Sequence, residues 1–188
     1  MKLIVGISGA SGAIYGIRVL EVLQLLGVET HLVLTEAGKK TVQLETDYEL
    51  QAIEKLAKKV HEAENIGASI ASGSFKTDGM IIAPCSIKSL SAIAHSYNEN
   101  LLIRAADVTL KERRKLVLVV RETPLHAGHL QLMTEVTRMG GIILPPVPAF
   151  YSRPRTIEDI VDQTVGKILD QFGLEHDIYY RWHGITTG

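Results

Sequence analysis

Apolar positions recur along this chain in two alternating rhythms. Short unbroken runs come at Leu3-Ile-Val-Gly-Ile7, His31-Leu-Val-Leu34, Met80-Ile-Ile-Ala83, Leu116-Val-Leu-Val-Val120 and Ile142-Ile-Leu144. Unbroken runs of this length fit strands buried on both faces of a parallel sheet. Between them, apolar residues fall at helical spacing, as in Ile14, Ile17, Leu20, Leu23 and Leu26. The pattern predicts strands at 3–7, 30–35, 78–83, 116–120 and 142–144. It predicts helices at 13–26, from the 35–38 loop onward, 47–59, 87–96, 98–114, 126–139 and 156–172. Asp47 is the expected N-cap of a charged helix reaching Lys59. Residues 64–78, rich in Ser, Ala and Gly, read as a loop with room for one short strand. The tail from about 174 to 188 reads as irregular. The expected fold is α/β: a single-domain, flavodoxin-like (Rossmann-like) three-layer fold over residues 1–188 with a central parallel sheet.

In such folds ligands sit beyond the carboxyl ends of the strands, so the segments after each run are the candidates. The first is Gly6-Ile-Ser-Gly-Ala-Ser-Gly12. Its glycines permit close backbone approach, and a helix start presents unpaired amides, so it can hold a phosphate. Its Gly-x-x-Gly-x-x-Gly spacing is not the dinucleotide fingerprint, and a tight packing turn is the competing reading. Composition narrows the class further. Twenty Lys and Arg against 21 Asp and Glu give a net charge of −1, which offers nucleic acid no basic field. Hydrophobic residues make up 46%, which points to buried subunit contacts. One cysteine, Cys85, excludes an internal disulfide and suits a reducing cytoplasm. No signal peptide or membrane span is expected.

Other strand exits carry their own chemistry. Pro84-Cys-Ser-Ile-Lys-Ser89 opens a helix with two hydroxyls and a thiol; a ligand role for Ser86 and Ser89 fits better than a nucleophilic Cys85, which reads as a buried thiol. Arg121 could clamp a phosphate or ring oxygen and Glu122 could manage a proton, or the two could form a plain strand-end pair. Arg104, Asp107 and Lys111 share one helical face, serving either a ligand or solvent. Arg113, Arg114 and Lys115 read as a solvated helix end. His126-x-x-His129 lacks a third metal ligand and reads as solvated, so no metal is expected. Phe150-Tyr151 lies in a proline-stiffened loop, where Tyr151 serves either packing or a ligand.

These pieces, together with Leu44-Glu-Thr-Asp47, Ala71-Ser-Gly-Ser74, Arg104-Ala-Ala-Asp107 and Leu110-Lys-Glu-Arg-Arg114, run in order over almost the whole chain. As a set they resemble the flavin prenyltransferases, the UbiX-like family, whose members were formerly described as aromatic-acid decarboxylases. The resemblance implies that a dimethylallyl group passes from dimethylallyl phosphate to N5 and C6 of reduced FMN without a metal. It implies a homododecamer with sites at subunit junctions, and delivery of the prenylated FMN to a UbiD-like decarboxylase. It assigns Gly9, Ala10, Ser11, Thr35, Ser86, Ile87, Lys88, Ser89 and Arg121 to the flavin. It assigns Tyr151 and Lys167 to the prenyl phosphate, with Arg104 and Lys111 joining them, Lys111 across a subunit boundary. Glu45, Glu122 and Ser11 stand where the family has residues implicated in the chemistry. Some members carry a tryptophan near the position of Ile66; here the only tryptophan is Trp182.

The implied chemistry agrees with the residue types. Allylic C–O cleavage places negative charge on a phosphate that Lys and Arg can stabilise, and an apolar chamber keeps water from the allyl cation. The flavin is the nucleophile, so Cys85 is not needed. Two rival readings are a flavin-dependent decarboxylase acting directly on a carboxylic acid, and a non-enzymatic FMN carrier. The related phosphopantothenoylcysteine decarboxylases have a Pro-x-Met-Asn-type segment where this chain has Pro84-Cys-Ser-Ile-Lys88.

Overall fold

The computed structural model describes residues 1–182 and 184. Six parallel strands form one sheet: β1 (Lys2–Ile7), β2 (Glu29–Leu34), β3 (Lys59–His61), β4 (Gly79–Cys85), β5 (Lys115–Val120) and β6 (Ile142–Ile143), in the order β3-β2-β1-β4-β5-β6. Seven helices connect and follow them: α1 (Ala13–Leu25), α2 (Glu36–Glu45), α3 (Leu50–Glu54), α4 (Ile87–Ala94), α5 (Leu101–Lys111), α6 (Ala127–Arg138) and α7 (Ile157–Gln171). The expected three-layer, all-parallel architecture is present.

Strand alternation divides the core in two. Leu3, Val5, Ile7, Ile81, Val117 and Val119 face α1 and α7. Ile4, Met80, Ile82, Leu116, Leu118 and Val120 face α4, α5 and α6. Gly16 lets α1 approach the sheet: a Cβ there would lie 2.1 Å from the Ala83 carbonyl oxygen. Among the described residues no helix is long and apolar enough to cross a membrane.

Four local expectations need correction. The charged stretch 47–59 is not one helix. Only Leu50–Glu54 is helical, with Glu49 rather than Asp47 at the N-cap, and Lys59-Val-His61 pairs with β2 as an edge strand. Sheet pairing there overrides a helical charge pattern. The loop 64–78 contains a single 3-10 turn, Ser69–Ala71, and no strand. The helix expected over 98–114 runs only from Leu101 to Lys111, because the Asn100 side chain caps it by accepting from the Ile103 amide. Arg113 then takes a left-handed conformation, φ 57°, and the chain turns into β5. Arg114 is no solvated end: its guanidinium donates to the carbonyls of Phe75 (2.9 Å) and Gly73 (2.7 Å). Lys115 likewise reaches the Gln171 carbonyl.

At the β2–β3 edge two buried histidines share a hydrogen bond, His31 Nδ1 to His61 Nε2, at 2.8 Å. Lys2, Lys59 and Glu29 are the charged groups around them, with Glu29 bonded to His31 Nε2. Burial, then the charges of His31 and Lys59, pushes the His61 imidazole down to about 4. Burial also lowers His31, against the pull of Glu29. Unfolding returns these rings to about 6.5, so the unfolded chain binds more protons between those values. Stability should therefore be full above about pH 6.5 and fall as pH drops toward 4. Thermal melts across that range should show a steeper loss for the native chain than for His61→Gln; parallel curves would contradict this.

Candidate active site

The sheet reverses its winding between β1 and β4, and the turns leaving those two strands lie side by side. Ser8 joins them. Its hydroxyl donates to the Pro84 carbonyl (2.8 Å) and accepts from the Ser86 amide (2.8 Å), while its own amide also donates to Pro84 (3.2 Å). Pro84 has no N–H to offer a neighbouring strand, and the β4–β5 register shifts between Ile82 and Cys85. The strand exit is thereby freed to turn into α4.

The first turn fits an anion. Gly12, at φ 101°, leads into α1 with no side-chain cap of its own. Among the described residues, the amides of Gly9, Ala10 and Ser11 donate to no protein acceptor. Gly9 packs so closely on α2 that a Cβ would lie 2.4 Å from the Ala37 Cβ. The next two amides are taken: Glu45, at the end of α2, accepts from Gly12 (2.8 Å) and Ala13 (3.1 Å). Desolvation alone would raise the Glu45 carboxyl. Hydrogen bonds from the Ser11 hydroxyl and the two amides, with the Arg121 charge nearby, outweigh it and hold the group below its usual range. Glu45 is thus an anion held on the amides of Gly12 and Ala13, beside Ser11.

The second and third turns are built from caps. Thr35 caps α2 by accepting from the Gly38 amide (3.0 Å), and Gly38 lies so near β1 that a Cβ would sit 2.5 Å from the Ile7 carbonyl. Ser86 caps α4 by accepting from the Ser89 amide (3.2 Å), and its hydroxyl donates to that of Ser89 (3.1 Å). Ile87 is half-buried, and Lys88 is exposed with its ammonium 3.3 Å from Glu99. Cys85 is fully buried, and burial pushes its thiol up to about 12. A thiol so disfavoured as thiolate is no nucleophile.

Arg121 leaves β5 with its amide bonded to the Cys85 carbonyl (3.2 Å). Its charge acts on Glu45 and on Tyr15 of α1, whose hydroxyl lies against Thr164 of α7. No Arg121–Glu122 pair forms among the described residues; Glu122 folds back onto the Thr123 amide (3.0 Å). Tyr15 and Thr164 therefore link the turn after β1 to the helix that carries Lys167, one turn further on. Lys167 is half-exposed, 3.8 Å from Asp170. Tyr151 is also exposed, edge-on to Trp182 with ring centres 5.8 Å apart.

Two candidates are not brought to this cluster within the chain. Arg104 donates to the Ala71 carbonyl (3.1 Å) and to Asp107 (2.9 Å). Lys111 pairs with Glu112 beside Gly73, close to where β5 begins, at the other end of the sheet. Ile66 is exposed on the turn that follows β3. His126 caps α6 by accepting from the Gly128 amide (3.0 Å), and its ring lies against that of His129 at a 32° tilt with centres 3.6 Å apart. Among the described residues, no group of three or more His, Cys, Asp and Glu could hold a metal ion. Sequence reasoning took Ser8 only as a hydroxyl donor of the glycine turn and passed over Tyr15, Thr164 and Asp170. Their partners lie far along the chain, and only Ser8, inside the glycine turn, carried any local signal.

Glu45→Ala should leave two amides at the start of α1 without their acceptor and lower stability by about 0.5–2 kcal/mol in a denaturant titration. Glu45→Gln should lose less. Cys85 in the folded chain should resist iodoacetamide at neutral pH under conditions that fully label the denatured chain, read by intact mass.

The geometry agrees with what the chain is similar to. A model of the flavoprotein family matches residues 1–169. A flavin prenyltransferase UbiX of Thauera aromatica is 62% identical over 184 residues, covering 98% of this chain and 95% of that one. A solved structure described as a dodecameric FMN-dependent UbiX-like decarboxylase from Escherichia coli O157:H7 superposes with a TM-score of 0.96 at 51% identity, covering 98% of this chain and 100% of that one. Another, AnUbiX (PadA1) in complex with FMN and dimethylallyl pyrophosphate, gives 0.97 at 49% identity and covers 98% of each chain. Two turns meeting at the sheet's reversal, one with free amides and one lined with hydroxyls, thus occur in a chain that belongs to the flavoprotein family and, within it, to the UbiX-like flavin prenyltransferases.

Proposed function

We propose that this chain joins a dimethylallyl group from dimethylallyl phosphate to N5 and C6 of reduced FMN. The observation that carries the reading is the joined pair of turns at the β1/β4 reversal, with the Arg121 charge above them. The free amides of Gly9, Ala10 and Ser11, with Thr35, Ser86, Ile87, Lys88, Ser89 and Arg121, hold the flavin. Bound reduced FMN would supply the two nucleophilic ring atoms. Lys167 and Tyr151 bind the prenyl phosphate, and the lysine stabilises the negative charge that grows there as the allylic C–O bond breaks. Glu45 holds the Ser11 hydroxyl so that the pair can take a proton at flavin N5, and Glu122 assists the departing phosphate with a second proton.

Arg104 and Lys111 enter a site only if they come from another copy of the chain, which fits assembly as a homododecamer with sites at subunit junctions. The product passes to a UbiD-like decarboxylase, in a reducing cytoplasm where FMN can stay reduced. Supporting these readings are the relatives' own names and a neighbour whose structure holds FMN and dimethylallyl pyrophosphate.

Anaerobic incubation with reduced FMN and dimethylallyl phosphate, followed by mass analysis, should give a flavin heavier by one prenyl unit. Glu122→Gln should slow ring closure. Flavin bound but unchanged would make the chain a carrier, and CO2 released from an aromatic acid with no partner enzyme would make it a decarboxylase.

A further inference from the structure

Residues 174–182 of the tail are bonded to α7, chiefly through one carboxylate. Asp170 accepts from the Tyr179 hydroxyl (2.7 Å) and from both terminal nitrogens of Arg181 (2.8 and 3.2 Å). His176 is buried, and its Nε2 lies 3.2 Å from Asp170 and 3.1 Å from the Gly166 carbonyl. The same nitrogen also lies 3.3 Å from Nη2 of Arg181. The helix is shaped for this contact. A Cβ on Gly166 would lie 2.1 Å from the Tyr179 ring and 2.8 Å from His176, so the tail needs a glycine in mid-helix, where glycine otherwise costs stability.

The same carboxylate reaches both residues assigned to the prenyl phosphate. Lys167 is one helical turn away, 3.8 Å from Asp170. Beyond Arg181 and Tyr179, the neighbouring Trp182 and Tyr180 flank the Tyr151 ring, with centres 5.8 and 6.5 Å from it. Asp170 already has bidentate Arg181 and Tyr179 as close partners, so it orients the lysine at longer range and leaves the ammonium donors available for a phosphate.

We propose that Asp170 is a positioning residue of the prenyl-phosphate site, fixing Lys167 directly and Tyr151 through the tail it clamps. The inference rests on the reading of Lys167 and Tyr151 given above. No atom of Asp170 touches the reacting groups. Its loss should cost binding of the prenyl phosphate and leave the flavin turns, on β1 and β4, intact.

The test is steady-state kinetics with reduced FMN and dimethylallyl monophosphate, alongside fluorescence titration of FMN. Asp170→Asn keeps the shape and removes the charge that holds Arg181. KM for the prenyl phosphate should rise about tenfold, the size expected for one lost charge-assisted hydrogen bond. kcat should fall much less, and FMN affinity should stay within about twofold, a difference near the floor of resolvable binding energy. Arg181→Gln and Tyr179→Phe, on the tail itself, should raise KM in the same direction, with Arg181→Lys restoring part of the loss. These carry the test should Asp170→Asn fold poorly. Equal losses in KM, kcat and FMN affinity would mark Asp170 as merely structural and overturn the proposal. So would an unchanged KM in these variants beside a raised KM in Lys167→Ala. An unchanged KM in Lys167→Ala as well would remove the phosphate-site reading itself, and the clamp with it.

Discussion

The structure depends on one hydroxyl at the point where the sheet changes direction. Two neighbouring parallel strands whose connections leave to opposite faces create a crevice at their carboxyl ends. Left alone, the backbone groups of the two departing turns would compete for water. Ser8 satisfies a carbonyl of one turn and an amide of the other, is almost wholly buried, and so fixes the width of the crevice. The start of α1, the start of α4 and the exit of β5 are then placed relative to one another. Arg121 is tied in by its amide to Cys85, one residue before Ser86. A serine here can do what alanine cannot, because the same oxygen both donates and accepts.

Charge then sorts the crevice. A helix start attracts anions, and here α1 has a protein carboxylate on the amides of its N-cap Gly12 and its first residue Ala13. Glu45 leaves the amides of Gly9 to Ser11 as the ones open to an anion. It also sets a negative charge against the Ser11 hydroxyl and within the field of Arg121. The thiol of Cys85 lies in the core on the α4–α6 side of the sheet, where burial denies it a charge. A pocket that handles a carbocation is better served by an inert sulfur than by a competing thiolate.

How much of this could be read from the sequence follows from how local each signal is. Buried strands announce themselves as apolar runs, and the turns after them carry glycine, serine and proline in the right places, so the sheet and most of its ligand edge were legible. β3 was not. Its three residues, Lys59, Val60 and His61, are paired by β2 and carry the charge pattern of a helix. Arg114 looked like a solvated helix end because its acceptors, Gly73 and Phe75, lie some 40 residues earlier. Tyr15 and Thr164 looked like helix positions among many, since what matters is their meeting across the α1–α7 contact. Asp170 had no local mark at all. Its partners lie in a tail that seemed formless because aromatic and charged residues without period give no secondary-structure signal.

A single copy of the chain leaves the crevice open to water, and the reason is physical. The carboxyl edge of the sheet is rimmed by apolar side chains in water: Leu44 beside Glu45, Ile66 after β3, and Phe150 beside Tyr151 are 85%, 64% and 72% exposed. An open hollow of about 610 Å³ next to Glu45 is lined by Ile14, Tyr48, Ala52 and Ile157. Such a rim cannot exclude water from an allyl cation, and exposed apolar side chains have their own reason to be covered. Covering it with further copies would dry the crevice and bury the exposed side chains in one step. It would also let Arg104, bonded in this chain to Ala71 and Asp107, and Lys111, near the start of β5, serve the crevice of a neighbour. Catalysis and assembly would then draw on the same apolar surface, so a subunit could not gain one without the other.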